Sequence, residues 1–418
     1  MPVPALVASV DAPHLEIVGS WRVRVGTTAL EIAPATIVRV RDEKHEALPL
    51  YDDKAAPWTR GAKLRALTTF ETTAAGGLVP GSLFVKSGPG LTSVFSEGMD
   101  YGLEQQWATF GRRTGGTIGE STPVWLDYDA GLLRIDSIVQ GRDGKVVVHQ
   151  GAPHAATPLP PAPLSGEREL ARIFIPTRCR KLTAACLFPI TEPTFPKRKE
   201  APHASDSLPK TWAKLSRGEP VRILAWGDSV TDGGQASSEA TRWQSVFLTR
   251  LKKRFPKANI TLTTVAWGGR NSDSFLAEPP GSVYNFAEKV LAAKPDLVVM
   301  EFVNDAWMSP EVVAQKYSAL KAQFEGIGAE WCILTPHFVR PDWMGQSTVK
   351  VETDPRPYVA GVRTFCQKHH VALADASLRW GHLVKEGTPY ITLLSNSINH
   401  PDDRGHALFA AALMELFR

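Results

Sequence analysis

V-R-I-L-A-W-G-D-S-V-T-D-G-G, residues Val221–Gly234, is the stretch that predicts the fold of the C-terminal half of the chain. Val221 to Trp226 are mostly apolar and include two β-branched residues, which is typical of a strand buried on both faces. Gly227, Asp228 and Ser229 end the apolar run with turn-forming residues. The pattern predicts that a buried parallel strand carries the Ser229 hydroxyl at its carboxyl end, the edge where open α/β sheets bind ligands. Taken alone, the stretch is also explained by a polar loop at a strand end.

The composition is that of an ordinary globular protein and excludes two classes of partner. At 418 residues, with 43% hydrophobic and 22% charged residues, the chain is long enough for two domains with full cores. The formal charge is only +4, and the densest basic cluster, Arg250 to Arg254, falls on a predicted amphipathic helix. We therefore predict no nucleic-acid partner. No run of about twenty apolar residues occurs, so no membrane span is predicted.

The cysteine and histidine patterns favour neither a metal site nor a disulfide framework. None of the four cysteines forms a C-x-x-C pair, and His369-His370 lacks a partner at zinc-binding spacing. We predict no metal and no organic cofactor. The first residues lack a charged region followed by a full apolar region, which predicts no secretion signal in this sequence. The compartment, whether cytoplasmic, periplasmic or secreted, and the oligomeric state are left open.

The N-terminal half is predicted to be β structure. Leu15–Val25 alternates apolar and polar residues, and Leu132–Val139 and Lys145–His149 are joined by a turn containing Asp143-Gly144. Short strands at this spacing favour a β-sandwich or jelly roll. The stretch Thr191–Pro209 is rich in Pro, Lys and Ser, so we place the domain boundary there, giving domains of residues 1–200 and 201–418.

The C-terminal half alternates strands with helices. This order predicts an α/β domain with a parallel sheet covered by helices on both faces. The predicted strands are Val221–Trp226, Asn259–Ala266, Asp296–Phe302, Glu330–Thr335 and Val371–Asp375, and the predicted helices are Thr241–Phe255, Val283–Ala293, Pro310–Phe324, Tyr358–His369 and Gly405–Phe417.

Chemically active residue types follow several of these predicted strands. Ser229 follows the first strand, Gly269 follows the second, and Asn304 follows the third. His400 precedes the last helix. Acyl transfer requires a nucleophile, donors for the developing oxyanion and a base, and these four residues supply that set at one edge of the sheet.

The four blocks resemble those of the SGNH (GDSL-type) hydrolases, and they occur in that family's order. Gly227-Asp228-Ser229 matches the nucleophile block, and Gly269 and Asn304 in V-N-D match the second and third blocks. His400 in H-P-x-x-x-G-H matches the histidine block. The resemblance covers Val221–Arg418 and implies a flavodoxin-like three-layer sandwich. No G-x-S-x-G motif occurs, which argues against an α/β-hydrolase.

The resemblance also implies a role for each matching residue. Ser229 would be the nucleophile and His400 its general base. The backbone N–H groups of Ser229 and Gly269 and the side-chain amide of Asn304 would form the oxyanion hole. Asp228 is interpreted as a turn cap.

One position departs from the family pattern. The family has an aspartate three residues before the histidine, where this chain has Ser397. We reject the nearby pair Asp403 and His406, because His406 follows the glycine that opens the last helix. A backbone carbonyl, or a side chain such as Ser397 or Asn399, could orient His400 instead, and Asp375 is a more remote candidate acid. The sequence thus predicts a Ser–His dyad.

Aromatic residues beside these blocks bear on the substrate. Trp307 and Trp343 fall in predicted loops, and we predict that they line the substrate site together with His337. A β-sandwich followed by an SGNH domain resembles bacterial carbohydrate esterases, which implies removal of small acyl groups, above all acetyl, from an oligo- or polysaccharide. The alternatives are a lipase or thioesterase acting on longer acyl chains, and an inactive carbohydrate-binding protein.

Overall fold

A computed structural model describes residues 14–90, 93–198 and 202–418. The chain forms two compact units, and one short segment belongs to a different unit from its neighbours in sequence. The first unit comprises Met1–Thr194 and Val384–Ile398, and the second comprises Phe195–Leu383 and Asn399–Arg418. The predicted division into residues 1–200 and 201–418 therefore needs a correction, because Val384–Ile398 belongs to the first unit.

The first unit consists mainly of antiparallel strands, as predicted. The strands are β1 (Leu15–Gly19), β2 (Arg22–Val25), β3 (Thr28–Glu31), β4 (Thr36–His45), β5 (Ala62–Lys63), β6 (Phe84–Lys86), β7 (Tyr101–Glu104), β8 (Thr109–Arg112), β9 (Val124–Leu132), β10 (Arg134–Gln140), β11 (Val146–His149), β12 (Arg168–Ile175) and β13 (Leu187–Pro189). They form sheets in the orders β1-β2-β3, β4-β9-β6, β5-β8-β7 and β11-β10-β12-β13.

Turn residues explain where these strands begin and end. The predicted hairpin after Leu132 is present as β10 and β11, which pair antiparallel, and Gly144 in its turn has φ +81°. Leu15–Val25, predicted as one strand, is instead the hairpin of β1 and β2, because the chain reverses at Ser20-Trp21 and Gly19 pairs with Arg22. The alternation there was real, but it continued across a turn.

The second unit is an α/β domain. Its strands are β14 (Val221–Gly227), β15 (Ile260–Ala266), β16 (Leu297–Glu301), β17 (Glu330–Leu334) and β18 (Ala372–Ala374). Its helices are α1 (Ala204–Ser207), α2 (Pro209–Arg217), α3 (Ser229–Asp232), α4 (Trp243–Arg254), α5 (Ser272–Ala277), α6 (Pro310–Gly326), α7 (Pro357–His369), α8 (Ala376–His382) and α9 (Asp403–Leu416).

The five strands β14 to β18 form one parallel sheet in the order β15-β14-β16-β17-β18. Chain order reverses at β14, so β14 and β16 flank the topological switch point of a flavodoxin-like sheet. Leu224 and Trp226 of β14 pack into a core that also contains Tyr317 and Phe324 of α6. Helices α4 and α9 pack against each other and against other strands of the sheet. This architecture confirms the predicted fold class.

One predicted helix is shorter than expected. Val283–Ala293 was predicted to be helical, but only a π-helical turn forms, at Ala287–Leu291. Phe286 and Val290 are the buried residues that hold this segment to the sheet, while Val283 is 70% exposed. In the described part of the chain, no helix is long and apolar enough to cross a membrane.

Candidate functional site

Ser229 lies directly beyond β14, as the first residue of α3. The turn depends on Gly227, because a Cβ there would lie 2.1 Å from Thr231 Oγ1 and 2.2 Å from the Glu301 carbonyl oxygen. Only glycine lets the strand approach this closely before the chain turns into α3. Because Ser229 follows the end of β14, its hydroxyl lies at the carboxyl edge of the sheet. The residue is half-buried.

Asp228 connects the Ser229 turn to the loop after β16. Its Oδ1 accepts a hydrogen bond from the Val230 N–H at 3.0 Å, and its Oδ2 accepts one from the Asn304 N–H at 2.9 Å. The side chain is fully buried, and burial raises the pKa of Asp228 to about 7, although both backbone donors act in the opposite direction. Asp228 thus caps the turn, as the sequence suggested.

His400 lies within hydrogen-bond distance of Ser229. Its Nε2 is 2.8 Å from Ser229 Oγ, although the two residues are 171 positions apart in sequence. When the serine hydroxyl donates to this nitrogen, the imidazole is placed to accept the proton as the oxygen attacks an electrophile. This geometry would allow Ser229 to act as a nucleophile with His400 as its base.

Two further predicted residues lie on the loops around Ser229. A Cβ on Gly268 would be 3.7 Å from the Ser229 Cβ, so the loop after β15 passes close to the serine. The next residue, Gly269, has φ +72°, a left-handed conformation that glycine adopts readily. Asn304 Nδ2 donates to the Arg270 carbonyl at 3.0 Å. Because an amide nitrogen carries two hydrogens, Asn304 has a second donor for an oxyanion.

Neither Ser397 nor Asp375 orients His400. Ser397 has φ +58°, and its side chain makes no hydrogen bond within the described residues. Asp375 is paired with Arg363 at 2.8 Å and accepts a hydrogen bond from Thr335 Oγ1 at 3.1 Å. The orientation of the His400 ring therefore does not depend on either of these side chains.

The rejected pair Asp403 and His406 has other partners. His406 is 1% exposed, and its Nδ1 accepts a hydrogen bond from the Trp243 N–H at 3.3 Å. Burial lowers the pKa of His406 to about 4. Asp403 Oδ1 accepts a hydrogen bond from the Ser237 N–H at 2.8 Å. This geometry favours His400 over His406 as the partner of Ser229.

The two predicted tryptophans line a cavity beside Asn304, whereas His337 does not. Trp307 is 56% exposed and Trp343 is 49% exposed, and both contribute to a cavity of about 420 Å³ that also contacts Asn304 and Asn399. The prediction that His337 lines this site is wrong, because its side chain is 0% exposed. His337 instead contacts the Asn399 carbonyl from inside the domain.

Sequence reasoning missed Glu301, a buried acid beneath the Ser229 turn. Its Oε2 accepts a hydrogen bond from Thr231 Oγ1 at 3.0 Å, while Oε1 has no partner within the described residues. Burial, together with the neighbouring Asp228 charge, raises the pKa of Glu301 well above its ordinary value. The available signal was an acidic residue at the carboxyl end of an otherwise apolar strand.

A third buried acid supports the neighbouring loop. Asp305 Oδ1 accepts hydrogen bonds from the Ser272 N–H at 3.0 Å and the Ser272 hydroxyl at 3.1 Å, and Oδ2 accepts one from Tyr317 Oη at 3.0 Å. Burial raises the pKa of Asp305 to about 6 despite these donors. In the described part of the chain, no group of three His, Cys, Asp or Glu side chains is arranged to hold a metal ion.

Comparison with known families gives one match. Residues 225–408 match the GDSL-like Lipase/Acylhydrolase family. A search of curated proteins found no match. The C-terminal half of the chain is thus a GDSL-like lipase/acylhydrolase domain, of the SGNH type, and the resemblance noted in the sequence is confirmed.

Solved structures with similarity to this chain include two esterases and TesA. A two-domain esterase (CEX) active on acetylated mannans, co-crystallised with mannopentaose, is 18% identical; the match covers 52% of this chain and 55% of that chain, with a TM-score of 0.41. The chain thus spans about half the length of that protein. A catalytic mutant of Axe2, an acetylxylan esterase from Geobacillus stearothermophilus, is 19% identical over 46% of this chain and 92% of that chain, with a TM-score of 0.37. TesA is 16% identical over 47% of this chain and 98% of that chain, with a TM-score of 0.35.

Proposed function

We propose that this chain is a serine esterase that removes acetyl groups from a carbohydrate through an acyl-enzyme. The observation that carries the proposal is the distance of 2.8 Å between Ser229 Oγ and His400 Nε2, at the switch point of the parallel sheet. Ligands of such sheets bind outside the carboxyl ends of the strands, beside the switch point. Asn304 follows β16 on the other side of that point and has an amide hydrogen to spare.

The proposed reaction has two stages. Ser229 Oγ attacks the ester carbonyl while His400 Nε2 takes the hydroxyl proton, and the negative charge on the carbonyl oxygen is met by Asn304 and the backbone N–H groups of Ser229 and Gly269. The bond between the acetyl carbon and the sugar oxygen then breaks while His400 gives its proton to that oxygen, which leaves acetyl-Ser229 and a free sugar hydroxyl. Water attacks this ester with His400 again as the base, and acetate leaves as the serine regains its proton. General base catalysis of this kind contributes about 10²–10⁴ in rate.

The cavity beside Asn304 supports a sugar as the substrate. Trp307 and Trp343 keep about half of their surface accessible, although large aromatic side chains are usually buried. Their rings are flat and apolar with a polar edge, and such rings suit the mixed apolar and polar faces of a sugar. The cavity of about 420 Å³ lies within the size range of small-molecule sites, which is about 300–1,000 Å³.

A second candidate function is hydrolysis of esters of longer acyl chains. Val303, Val339 and Met344 line the same cavity and offer apolar contacts for a hydrocarbon chain. The two functions differ in the rates expected on p-nitrophenyl acetate and p-nitrophenyl octanoate. An acetylesterase prefers the acetate, whereas a lipase or thioesterase prefers the octanoate.

The decisive experiment compares Ser229→Ala with the wild-type chain. We expect the wild type to hydrolyse p-nitrophenyl acetate and to release acetate from a panel of acetylated polysaccharides. Ser229→Ala should lose at least about 10³-fold in kcat, because the nucleophile is absent. Its Tm should stay nearly unchanged, because a half-buried hydroxyl in a turn contributes little to stability.

Ser318→Ala is the matched control, because Ser318 is an exposed serine on α6 whose hydroxyl donates to the Ala314 carbonyl. It should keep wild-type kcat. An active Ser229→Ala variant would overturn the assignment of the nucleophile. A wild-type chain that binds acetylated glycans without releasing acetate would instead favour a carbohydrate-binding protein.

A further inference from the structure

His337 is a fully buried histidine next to the backbone that carries His400. It follows β17, and its side chain is 0% exposed. Its Nε2 is 2.5 Å from the carbonyl oxygen of Asn399, the residue immediately before His400. A carbonyl oxygen only accepts hydrogen bonds, so the ring hydrogen is on Nε2.

The surroundings of His337 keep its ring in one orientation and one charge state. The ring centroid lies 5.3 Å from that of Trp380 and 5.7 Å from that of Phe409. Arg356 donates to the His337 carbonyl oxygen at 2.7 Å, so the backbone of the residue is fixed as well. Burial, with the nearby Arg356 charge, lowers the pKa of His337 well below its ordinary value. His337 is thus a neutral, rigid donor.

The chain on the other side of His400 is also fixed. A Cβ on Gly405 would lie 2.5 Å from the Pro401 Cβ and 2.9 Å from Trp380, so Pro401 packs closely on the first turn of α9. Asp402 caps that helix by accepting the Arg404 N–H at 2.9 Å and the Gly405 N–H at 3.2 Å. His400 therefore lies between two points of restrained backbone.

We propose that His337 is a positioning residue for His400, which it orients through the Asn399 carbonyl. In the family pattern a carboxylate three residues before the histidine does this work, and here Ser397 stands at that position without a side-chain hydrogen bond in the described structure. The inference rests on the proposed function, because it assigns His337 to the same reaction. His337 does not touch the substrate or the reacting atoms.

Two amide substitutions separate positioning from packing. In His337→Gln the side-chain nitrogen can occupy the place of histidine Nε2 and donate to the Asn399 carbonyl. In His337→Asn the amide is too short to reach it. With p-nitrophenyl acetate, we expect His337→Asn to lose about 10²-fold in kcat with little change in KM, since small misplacements of a catalytic group have effects of this size. His337→Gln should stay within a few-fold of the wild type.

His406→Asn is the matched control. It replaces another buried histidine of the same unit, one whose Nδ1 accepts a hydrogen bond from backbone, that from the Trp243 N–H. It should lower Tm as His337→Asn does but keep kcat within a few-fold of the wild type. Equal losses of kcat in His337→Gln and His337→Asn, or in His337→Asn and His406→Asn, would show a packing role and overturn the inference.

A second measurement is independent of turnover. In protein labelled with ¹⁵N-histidine, the ring signals of His400, identified by their absence in His400→Ala, should shift or double in His337→Asn. They should keep their wild-type positions in His337→Gln and His406→Asn. Unchanged His400 signals in His337→Asn would overturn the positioning role, even if the enzyme is active. A wild-type chain without esterase activity would refute the proposed function, while these spectra would still decide the role of His337.

Discussion

Asn304 donates hydrogen bonds from both its backbone and its side chain. Its backbone N–H donates to Asp228, and one hydrogen of its amide goes to the Arg270 carbonyl. The second amide hydrogen is the one we assign to the oxyanion. Its effect on the rate should be much larger than its effect on stability, because an oxyanion forms only during the reaction.

Asn304→Ala should therefore lower kcat on p-nitrophenyl acetate by about 10²–10³-fold, the usual effect of removing one oxyanion donor. Asn285→Ala is the matched control, because Asn285 Nδ2 also donates to a backbone carbonyl, that of Glu278 at 2.6 Å. The control should lose some stability and little activity. Similar kcat values for the two variants would remove Asn304 from the oxyanion hole.

The sequence was most informative for residues whose chemistry coincides with a strand end. Ser229, Gly269 and Asn304 each follow a strand, and the parallel sheet brings the ends of those strands together. His337 follows β17 in the same way, yet it points into the core. The local sequence after a strand is the same whether a histidine there is exposed or buried. The burial of His337 is decided by Trp380 and Phe409, which are distant in sequence.

At the scale of elements, the junction between β14 and α3 is the most constrained. The space at Gly227 is closed by Thr231 of α3 and by the end of β16. A larger residue must move either the helix that begins with Ser229 or the neighbouring strand. Overpacking at such a site has a free-energy cost of about 1–3 kcal/mol or more.

Gly227→Ala should accordingly lower Tm by several degrees and reduce activity, since both Thr231 and the Glu301 carbonyl would be displaced. Gly326→Ala offers the comparison, because a Cβ there meets no atom within 4 Å and the residue ends α6. That variant should be as stable as the wild type or slightly more so, because alanine favours helix over glycine by about 1 kcal/mol. Thermal denaturation of the two variants checks both expectations. A Gly227→Ala chain with wild-type Tm and activity would show that the junction between β14 and α3 does not require glycine.

The end of β16 predicts a pH dependence of stability. The pKa of Glu301 is raised in the folded chain, so folding takes up a proton wherever the unfolded carboxyl would be ionised. The stability contributed by this group is present at acid pH and is lost as the pH rises above the unfolded pKa of about 4.3.

Glu301→Gln keeps a neutral side chain of the same shape and removes this linkage. Relative to the wild type, its free energy of unfolding should rise as the pH increases above the unfolded pKa, by at most about 1.4 kcal/mol per pH unit for one proton. Urea unfolding at several pH values measures the difference. The exposed Glu239→Gln should show no such trend. A constant difference between Glu301→Gln and the wild type would mean that Glu301 is ionised in the folded chain.

Helices and strands were predicted correctly where the apolar pattern also indicated the length of the element. The strands β14 and β16 were predicted correctly because both are mostly apolar and are followed by polar turn residues. The segment Val283–Ala293 was predicted incorrectly. Its apolar residues fit a helical period, but the period does not show how many helical turns pack against the sheet. Local alternation also failed at Ser20-Trp21, where a tight reversal leaves the pattern of side chains intact.

At the scale of the whole molecule, the segment Val384–Ile398 links the two units in sequence, because it belongs to the first unit while its neighbours in the chain belong to the second. It is anchored within the first unit by Arg172, which donates to Thr388 Oγ1 at 2.5 Å, and by Thr72, which donates to the Asn396 carbonyl at 2.5 Å. No local sequence signal marks these partners, because they lie far away in the chain. A division of the sequence at one linker could not have included this segment.

A chain that begins at Phe195 should therefore be poorly soluble. It would keep the segment but lose the first-unit residues that surround it, and the segment contributes the side chains Tyr390, Leu393, Leu394 and Ile398, all buried in the intact protein. Size-exclusion chromatography and binding of a hydrophobic dye should reveal aggregation. Residues 1–194 supplied as a separate chain should restore solubility. A monomeric, cooperatively folding chain from Phe195 onward would show that the segment does not need the first unit.

The Thr72–Asn396 hydrogen bond joins residues 324 positions apart, and it has a consequence for synthesis on the ribosome. Proteins emerge N-terminal end first, and domains generally fold as they appear. Here the first unit stays incomplete until Ile398 has been translated, and the second stays incomplete until α9 follows it. Neither unit can finish folding until its last segment has been translated, so the nascent chain must keep its unpaired surfaces from aggregating until Ile398 and α9 have been made.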